Sequence, residues 1–344
     1  MAEAAQPEAA QPETSLDVVA VGNAIVDVLA QADDEFLARH AMTKGSMQLI
    51  EADAAHALYA DMGPGVEMSG GSAANTTAGI ASLGGSPGFI GRVADDVLGQ
   101  VFTHDLRAAG VHYEPLGVTV DERGTARCLI LVTPDAQRTL NTYLGVSSLI
   151  GPSDIDAALV RSAQVVFCEG YLWDLPDAKE ALRRAMDVAR DAGAKVAFTL
   201  SDSFCVDRHR VDFLELAEHR VDILFANEAE LLSLYQEDAW EKAADRVAGH
   251  CEIACLTRSE KGSVVITSNG ERIEVPAKLV GGVVDTTGAG DLYAAGFLYG
   301  YTHGHDLATS GALASLAAGE VISHVGARPE TRLVDLVATH LPDL

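Results

Sequence analysis

Apolar residues along the chain fall into short continuous runs that alternate with longer segments of helical period. The run Asp17-Val18-Val19-Ala20-Val21-Gly22 predicts a buried strand ended by glycine. Ser72 to Leu83, rich in small residues, predicts a helix, and Gly88-Phe89-Ile90-Gly91 a short strand. Asp96 to Ala109 has an amphipathic period and is closed by Gly110. Strand Gln164–Cys168 then precedes helix Pro176–Ala192, strand Lys195–Leu200 a helical stretch near 207–219, and strand Asp222–Phe225 helix Glu228–Tyr235. Strand Glu252–Thr257 and the β-type pieces Ser263–Thr267 and Glu271–Val275 follow. After Asp291 the pattern is helical only, at about 291–302, 305–323 and 330–341.

Residues 112–143 break this alternation. Short β-type pieces, including Ala126 to Val132 and Arg138 to Tyr143, follow one another with turn residues between them. An antiparallel flap is the expectation there. Elsewhere strand–helix alternation predicts a largely parallel sheet with helices on both faces. Ligands bind such sheets beyond the C-terminal strand ends.

Composition narrows the setting. The 344 residues are 48% hydrophobic, enough for a large core. Fifty acidic against 24 basic residues give a formal charge of −26, dispersed along the chain. That surface repels nucleic acid and anionic lipid. Any site for a small anion must therefore build its positive potential locally. The five cysteines form no CxxC pair and suit buried thiols in a reducing cytoplasm. No secretory signal and no membrane span are expected. Residues 4–13 repeat Ala-Ala-Gln-Pro-Glu twice, so 1–15 are expected to be a disordered tail ahead of one domain over 16–344.

The chemistry concentrates in Asp285-Thr286-Thr287-Gly288-Ala289-Gly290-Asp291, a glycine-rich loop feeding an apolar helix. Free amides of a first helical turn point at an anion beyond it. Gly288, Ala289 and Gly290 form an expected phosphate hole, where one such donor contributes about 3–4 kcal/mol to a transition state. A loop meant only to bind phosphate would avoid the carboxylate of Asp291. It makes sense as the base that takes a proton from an attacking hydroxyl. Neither a Walker A loop nor a complete Rossmann glycine pattern is present here.

With these motifs the chain resembles the pfkB-type sugar and nucleoside kinase family. The likeness also rests on Ser69-Gly70-Gly71-Ser72-Ala73-Ala74-Asn75, Gly84-Gly85 and Asn227-Glu228-Ala229-Glu230, in that order. It covers nearly the whole chain from about residue 16. Within the family, Gly22 to Asp27, Gln48 and Val221 to Glu228 most resemble the adenosine kinases.

The resemblance implies a ribokinase-like three-layer α/β/α domain with a small β-sheet lid, its strands drawn from about 23–51 and 112–143. It implies a monomeric or homodimeric cytoplasmic enzyme using ATP and Mg²⁺, with K⁺ left open, on a nucleoside or a sugar. Asp27 and Asn75 would hold the ribose hydroxyls, with Asn23, Gln48, Gly70 and Gly71 completing that wall. Asn227 and Glu230 would order Mg²⁺ through water. Arg138, in the flap, and Arg92 would go to the phosphates. Thr257 and Ser315 would contact the nucleotide. Tyr171 would stack on the base, with Trp173 as the alternative. The implied reaction is transfer to the 5′-hydroxyl of adenosine. Inosine, guanosine, ribose, fructose and a keto-deoxy sugar acid stay open as acceptors, as does a ligand-binding protein on a kinase scaffold.

Overall fold

The computed structural model describes residues 16–116, 123–135, 137–342 and 344. The tail expected at 1–15 lies outside them, as do 117–122 and 136 of the expected flap.

Among the described residues thirteen strands form two sheets. They are β1 (Leu16–Val21), β2 (Ile25–Gln31), β3 (Met47–Leu49), β4 (Gly65–Gly70), β5 (Pro87–Ile90), β6 (Ala126–Val132), β7 (Arg138–Tyr143), β8 (Ala163–Glu169), β9 (Lys195–Thr199), β10 (Ile223–Asn227), β11 (Ile253–Thr257), β12 (Ser263–Thr267) and β13 (Arg272–Val275). The large sheet runs β13-β12-β11-β10-β9-β8-β1-β5. Its members from β5 to β11 pair in parallel, and β12 and β13 close one edge antiparallel.

Parallel strands covered on both faces read as continuous apolar runs. Val18, Val19, Ala20 and Val21 are accordingly all buried. Two hydrophobic clusters lie on the two sides of β1, one around Val19, Val21 and Trp173, the other around Val18, Ala20 and Phe297. In the second, helix Ala289–Thr302 packs on Ser72–Ser82 and Leu307–Val321. Gly296 permits this: a Cβ there would stand 2.5 Å from the Leu313 carbonyl oxygen.

The small sheet runs β3-β7-β6-β2-β4. The expected flap strands are β6 and β7, paired antiparallel. β4 is an addition: the chain between the two expected lid segments supplies an edge strand beside β2. Helices Asp34–Arg39 and Ala52–Asp61, which the apolar pattern does not announce, contribute Phe36, Leu37 and Leu58 to a cluster with Val28, Leu129 and Leu131. On the opposite face of the sheet, Leu29, Cys128 and Ile130 are joined by Ile25, Met68, Val132 and Leu140. Asp27 shares that face, because side chains alternate along β2.

β1 lies between β5 and β8, so the order of sheet growth reverses there. A crevice beyond the C-terminal ends of β1 and β8 is the place such a sheet offers a ligand.

Candidate active site

The glycine-rich loop caps helix Ala289–Thr302 through Gly288, whose φ of 78° is the left-handed conformation that glycine adopts readily. A Cβ at 288 would also stand 2.8 Å from Ala327 Cα. The Ala289 amide donates to Thr286 O at 3.3 Å. Among the described residues the amides of Gly288, Gly290 and Asp291 keep no internal acceptor. Of the three amides expected over 288–290, that of Ala289 thus closes the turn, while the Asp291 amide stands free beside those of Gly288 and Gly290. A Cβ at Gly290 would meet no protein atom within 4 Å, so the space above the loop is open.

Asp291 stands in the first helical turn with both carboxylate oxygens held. Ser72 Oγ donates to Oδ1 at 2.7 Å and Asn75 Nδ2 to Oδ2 at 2.9 Å. Burial raises its pKa, against the lowering by these two bonds and by the Arg328 guanidinium. Asn75 is the fourth residue of its helix rather than a cap, and its Oδ1 accepts from Arg328 Nε at 2.8 Å.

Asp27 lies inside β2, not at a strand end. Burial pushes its carboxyl up to about 7, opposed by Arg328 and reinforced by Asp291. Gly70, paired with Ile25 on β2, lies close against the Asp27 carboxylate, and Gly71 crosses over Asn23 at φ 92°. Asn23 is buried, donating to Glu169 Oε1 at 2.8 Å and accepting from Ser147 Oγ. Its amide braces the crevice between β1 and β8 rather than standing free in it. Gln48 sits on β3, three strands from β2, and donates to Asn141 Oδ1 at 2.7 Å.

Arg138 reaches from the lid to the loop. It pairs with Asp285 Oδ2 at 2.6 Å and donates to Thr287 Oγ1 at 3.1 Å. Arg92 instead pairs with Asp154 at 2.6 Å, where Asp154 also accepts from the Gly151 amide. The structure therefore gives Arg92 a bracing role and brings Arg138 alone of the two to the loop.

A cavity of about 720 Å³ runs from Ser72, Gly290 and Asp291 past Asn227, Glu230 and Thr257 to Leu279, Ser315 and Gly319. Asn227 and Glu230 form a reciprocal capping box: Asn227 Oδ1 accepts from the Glu230 amide and Glu230 Oε2 from the Asn227 amide, both at 2.9 Å. Both residues also line the cavity. No group of three or more His, Cys, Asp or Glu side chains placed to hold a metal ion occurs among the described residues. Ser315 Oγ donates to Pro276 O at 2.8 Å and accepts from the Lys278 amide at 2.9 Å, shaping the far end.

The aromatic expectation needs correction. Trp173 is fully buried, donates Nε1–H to Asp212 at 2.8 Å and packs against Phe198 and Phe213. Tyr171 turns to Ser201, donating to its carbonyl at 3.3 Å, with Asp202 and Glu230 nearby. Ser201 and Glu230 line the cavity beside Thr257, while Glu169, also near Tyr171, holds Asn23. The 3₁₀ turn Gly170–Asp174 after β8 sets both directions.

Two residues were not anticipated. Arg328 lies among Asp27, Asp105 and Asp291. Glu169 ends β8 and accepts from Asn23 and from the Ala73 amide at 3.0 Å. Neither carries a local motif.

Burial pushes the Glu169 and Glu230 carboxyls up to about 7 from 4.5. The folded chain thus keeps protons there that the unfolded chain releases near 4.5. Their contribution favours folding fully below 4.5 and is lost as pH rises through about 7. Stability is expected to fall by about 1 kcal/mol or more between about pH 5.5 and 7.5. Thermal unfolding across that range checks it; a flat or rising midpoint contradicts it.

Comparison with known proteins adds the following. The family described as pfkB family carbohydrate kinase matches residues 47–332. The structure is similar to a probable sugar kinase from Rhizobium etli CFN 42, at TM-score 0.88 and 50% identity over 95% of this chain and 98% of that one. It is equally similar to adenosine kinase from Sinorhizobium meliloti, at TM-score 0.88 and 50% identity over 94% and 99%. An ATP-dependent ribose-1-phosphate kinase from Halopiger xanaduensis is 35% identical over 67% of this chain and 72% of its own. No helix among the described residues is long and apolar enough to cross a membrane.

Proposed function

Since the chain belongs to the pfkB family of carbohydrate kinases, a family of ATP-dependent phosphotransferases acting on hydroxyl groups, we propose that it phosphorylates the 5′-hydroxyl of a neutral nucleoside, adenosine first among them. The observation that carries this reading is the lid face: Asp27 stands among Ile25, Leu29, Met68, Cys128 and Leu140. A carboxylate within an apolar surface suits a sugar hydroxyl joined to a flat apolar base. A free sugar, polar all round, would leave the partly buried Ile25, Met68 and Leu140 without an apolar partner.

Charge points the same way. The acceptor side holds Asp27 and Asp291 against the guanidinium of Arg328. A sugar phosphate or a sugar acid would add a further negative charge there. The adenosine kinase of S. meliloti is a relative whose name carries the matching acceptor, and the probable sugar kinase of R. etli keeps a sugar acceptor as the second reading.

In the reaction, Asp291 accepts the acceptor hydroxyl's proton while that oxygen bonds to the γ-phosphorus of ATP and the bridging P–O bond to the β-phosphate breaks, so that ADP leaves. Ser72 and Asn75 hold the carboxylate still. The amides of Gly288, Gly290 and Asp291 face the transferring phosphoryl. Arg138 brings the lid's positive charge to the loop through Asp285 and Thr287. The nucleotide occupies the 720 Å³ cavity toward Leu279 and Ser315. Mg²⁺, when bound with ATP, supplies charge neutralisation, and Glu230 with Asn227 would hold its waters.

ADP release with Mg·ATP across adenosine, inosine, guanosine, ribose, ribose 1-phosphate, fructose and a keto-deoxy sugar acid tests the acceptor. Adenosine is expected to give the largest kcat/KM; a free sugar or an anionic acceptor ahead of every nucleoside overturns the reading. Gly290→Ala tests the anion hole. No protein atom opposes the methyl, so the melting point should hold while kcat/KM for ATP falls about tenfold or more. Unchanged kinetics in that variant would place the phosphate elsewhere.

A further inference from the structure

The segment Gly326-Ala327-Arg328 threads behind the phosphate loop. The Gly326 amide donates to Asp285 Oδ2 at 3.0 Å, and Ala327 fills the space beside Gly288. Beyond this seat Arg328 extends to the acceptor wall, where Nε donates to Asn75 Oδ1 at 2.8 Å. Asn75 passes the contact on through Nδ2 to Asp291. The far end of the guanidinium, Nη2, is buried and has no hydrogen-bond partner among the described residues. A buried donor left unpaired costs about 1–3 kcal/mol, and one attached to a charge costs more.

We propose that Arg328 is a positioning residue for the transfer: Nε locks the Asn75 amide so that it donates to Asp291, and Nη2 is kept for an oxygen of the bound acceptor. This rests on Asp291 as base and on a nucleoside as acceptor.

An amide's two ends are close in shape but opposite in hydrogen bonding. With the guanidinium against Oδ1, Nδ2 is committed to the Asp291 carboxylate. The Arg328 charge also lets two carboxylates occupy one crevice. Asp291 faces Arg328, with Asp27 and the β8 acid Glu169 close by. Asp27 faces Arg328, Arg138, Asp291 and the Cys128 thiol. Arg328 faces Asp27, Asp105 and Asp291. Burial draws the guanidinium itself down to about 10, so it stays charged over the working range. Asp27 accepts and Nη2 donates, which is the complement of a hydroxyl.

The test is the pH profile of kcat for Arg328→Met and Arg328→Lys with adenosine and Mg·ATP, beside the same chain unaltered. Arg328→Met is expected to lower kcat about tenfold. Loss of the cation should also move the acid limb up by about one pH unit, since Asp291 becomes harder to ionise. Arg328→Lys restores the limb and not kcat, because an ammonium supplies charge without the fork. With 2′-deoxyadenosine or 3′-deoxyadenosine, one of the two loses less in Arg328→Met than in the unaltered enzyme.

A wild-type limb and wild-type kcat in Arg328→Met overturn the proposal. Should that variant not fold, Arg328→Lys decides alone: unchanged kcat and unchanged deoxy penalties overturn it. Asp291→Asn run in parallel separates the two levels. If it keeps turnover, the base assignment is wrong; if it is inactive while Arg328→Met is normal, only the role of Arg328 falls. Adenosine failing as acceptor in the unaltered enzyme rejects the nucleoside reading before either variant is read.

Discussion

Asp291→Asn is expected to fold like the parent and to lose about 10²–10⁴-fold in kcat. The replacement keeps the shape and both contacts. Its carbonyl can accept from Asn75 Nδ2, and its amide can donate to Ser72 Oγ once that hydroxyl rotates. What is lost is the lone pair that takes the acceptor's proton. Stability should hold or rise, because burial already opposes the charged carboxylate. Steady-state turnover together with a thermal melt checks both halves. Turnover within a few-fold of the parent would mean that the carboxylate is a helix-start residue and that the proton leaves by another route.

Gly70→Ala is expected to cut kcat/KM for the acceptor about 10- to 100-fold, the range of a lost hydrogen bond to a charged group. A methyl at 70 would stand 2.3 Å from Asp27 Oδ2 and 2.5 Å from its Cγ. No rearrangement of a few tenths of an ångström relieves that contact, so the Asp27 side chain must swing off the acceptor. Asp27→Ala should give a loss of similar size, and the two together little more than either alone. KM for ATP should stay within about twofold, since the nucleotide cavity lies on the other side of Asp291. If the methyl is tolerated while Asp27→Ala is damaging, the acceptor reaches Asp27 from a direction that Gly70 does not control. If both variants are normal, Asp27 does not hold the acceptor.

Some of the site was legible early because its chemistry is local. The loop before helix Ala289–Thr302 is readable from its own seven residues: two glycines, a helix start and a carboxylate in the first turn. Asn227 and Glu230 are readable in the same way, as a pair three apart at a helix entry. The flap strands β6 and β7 were legible as two short β-type pieces with turn residues between them. The aromatic assignments failed because a ring's partner is set by tertiary packing. Trp173 and Tyr171 share one turn, and Asp212 and Ser201 decide where each points. Arg92 failed likewise: nothing in its neighbourhood announces Asp154, 62 positions on.

The order of apolar runs and glycine turns was enough to determine a parallel α/β sheet with an inserted flap, and a glycine-rich loop that starts a helix and ends in a carboxylate. Those properties depend on backbone conformation over about ten residues, and backbone preference is written locally. Which side chains face that carboxylate was decided only by the folded chain. Ser72 and Asn75 meet Asp291 across 219 and 216 positions, and Arg328 meets Asn75 across 253. β1 and β8 must lie side by side before Asn23 can find Glu169. Contacts of that kind follow from which strand ends the topology brings together, and no stretch of sequence around any one of these residues carries that information.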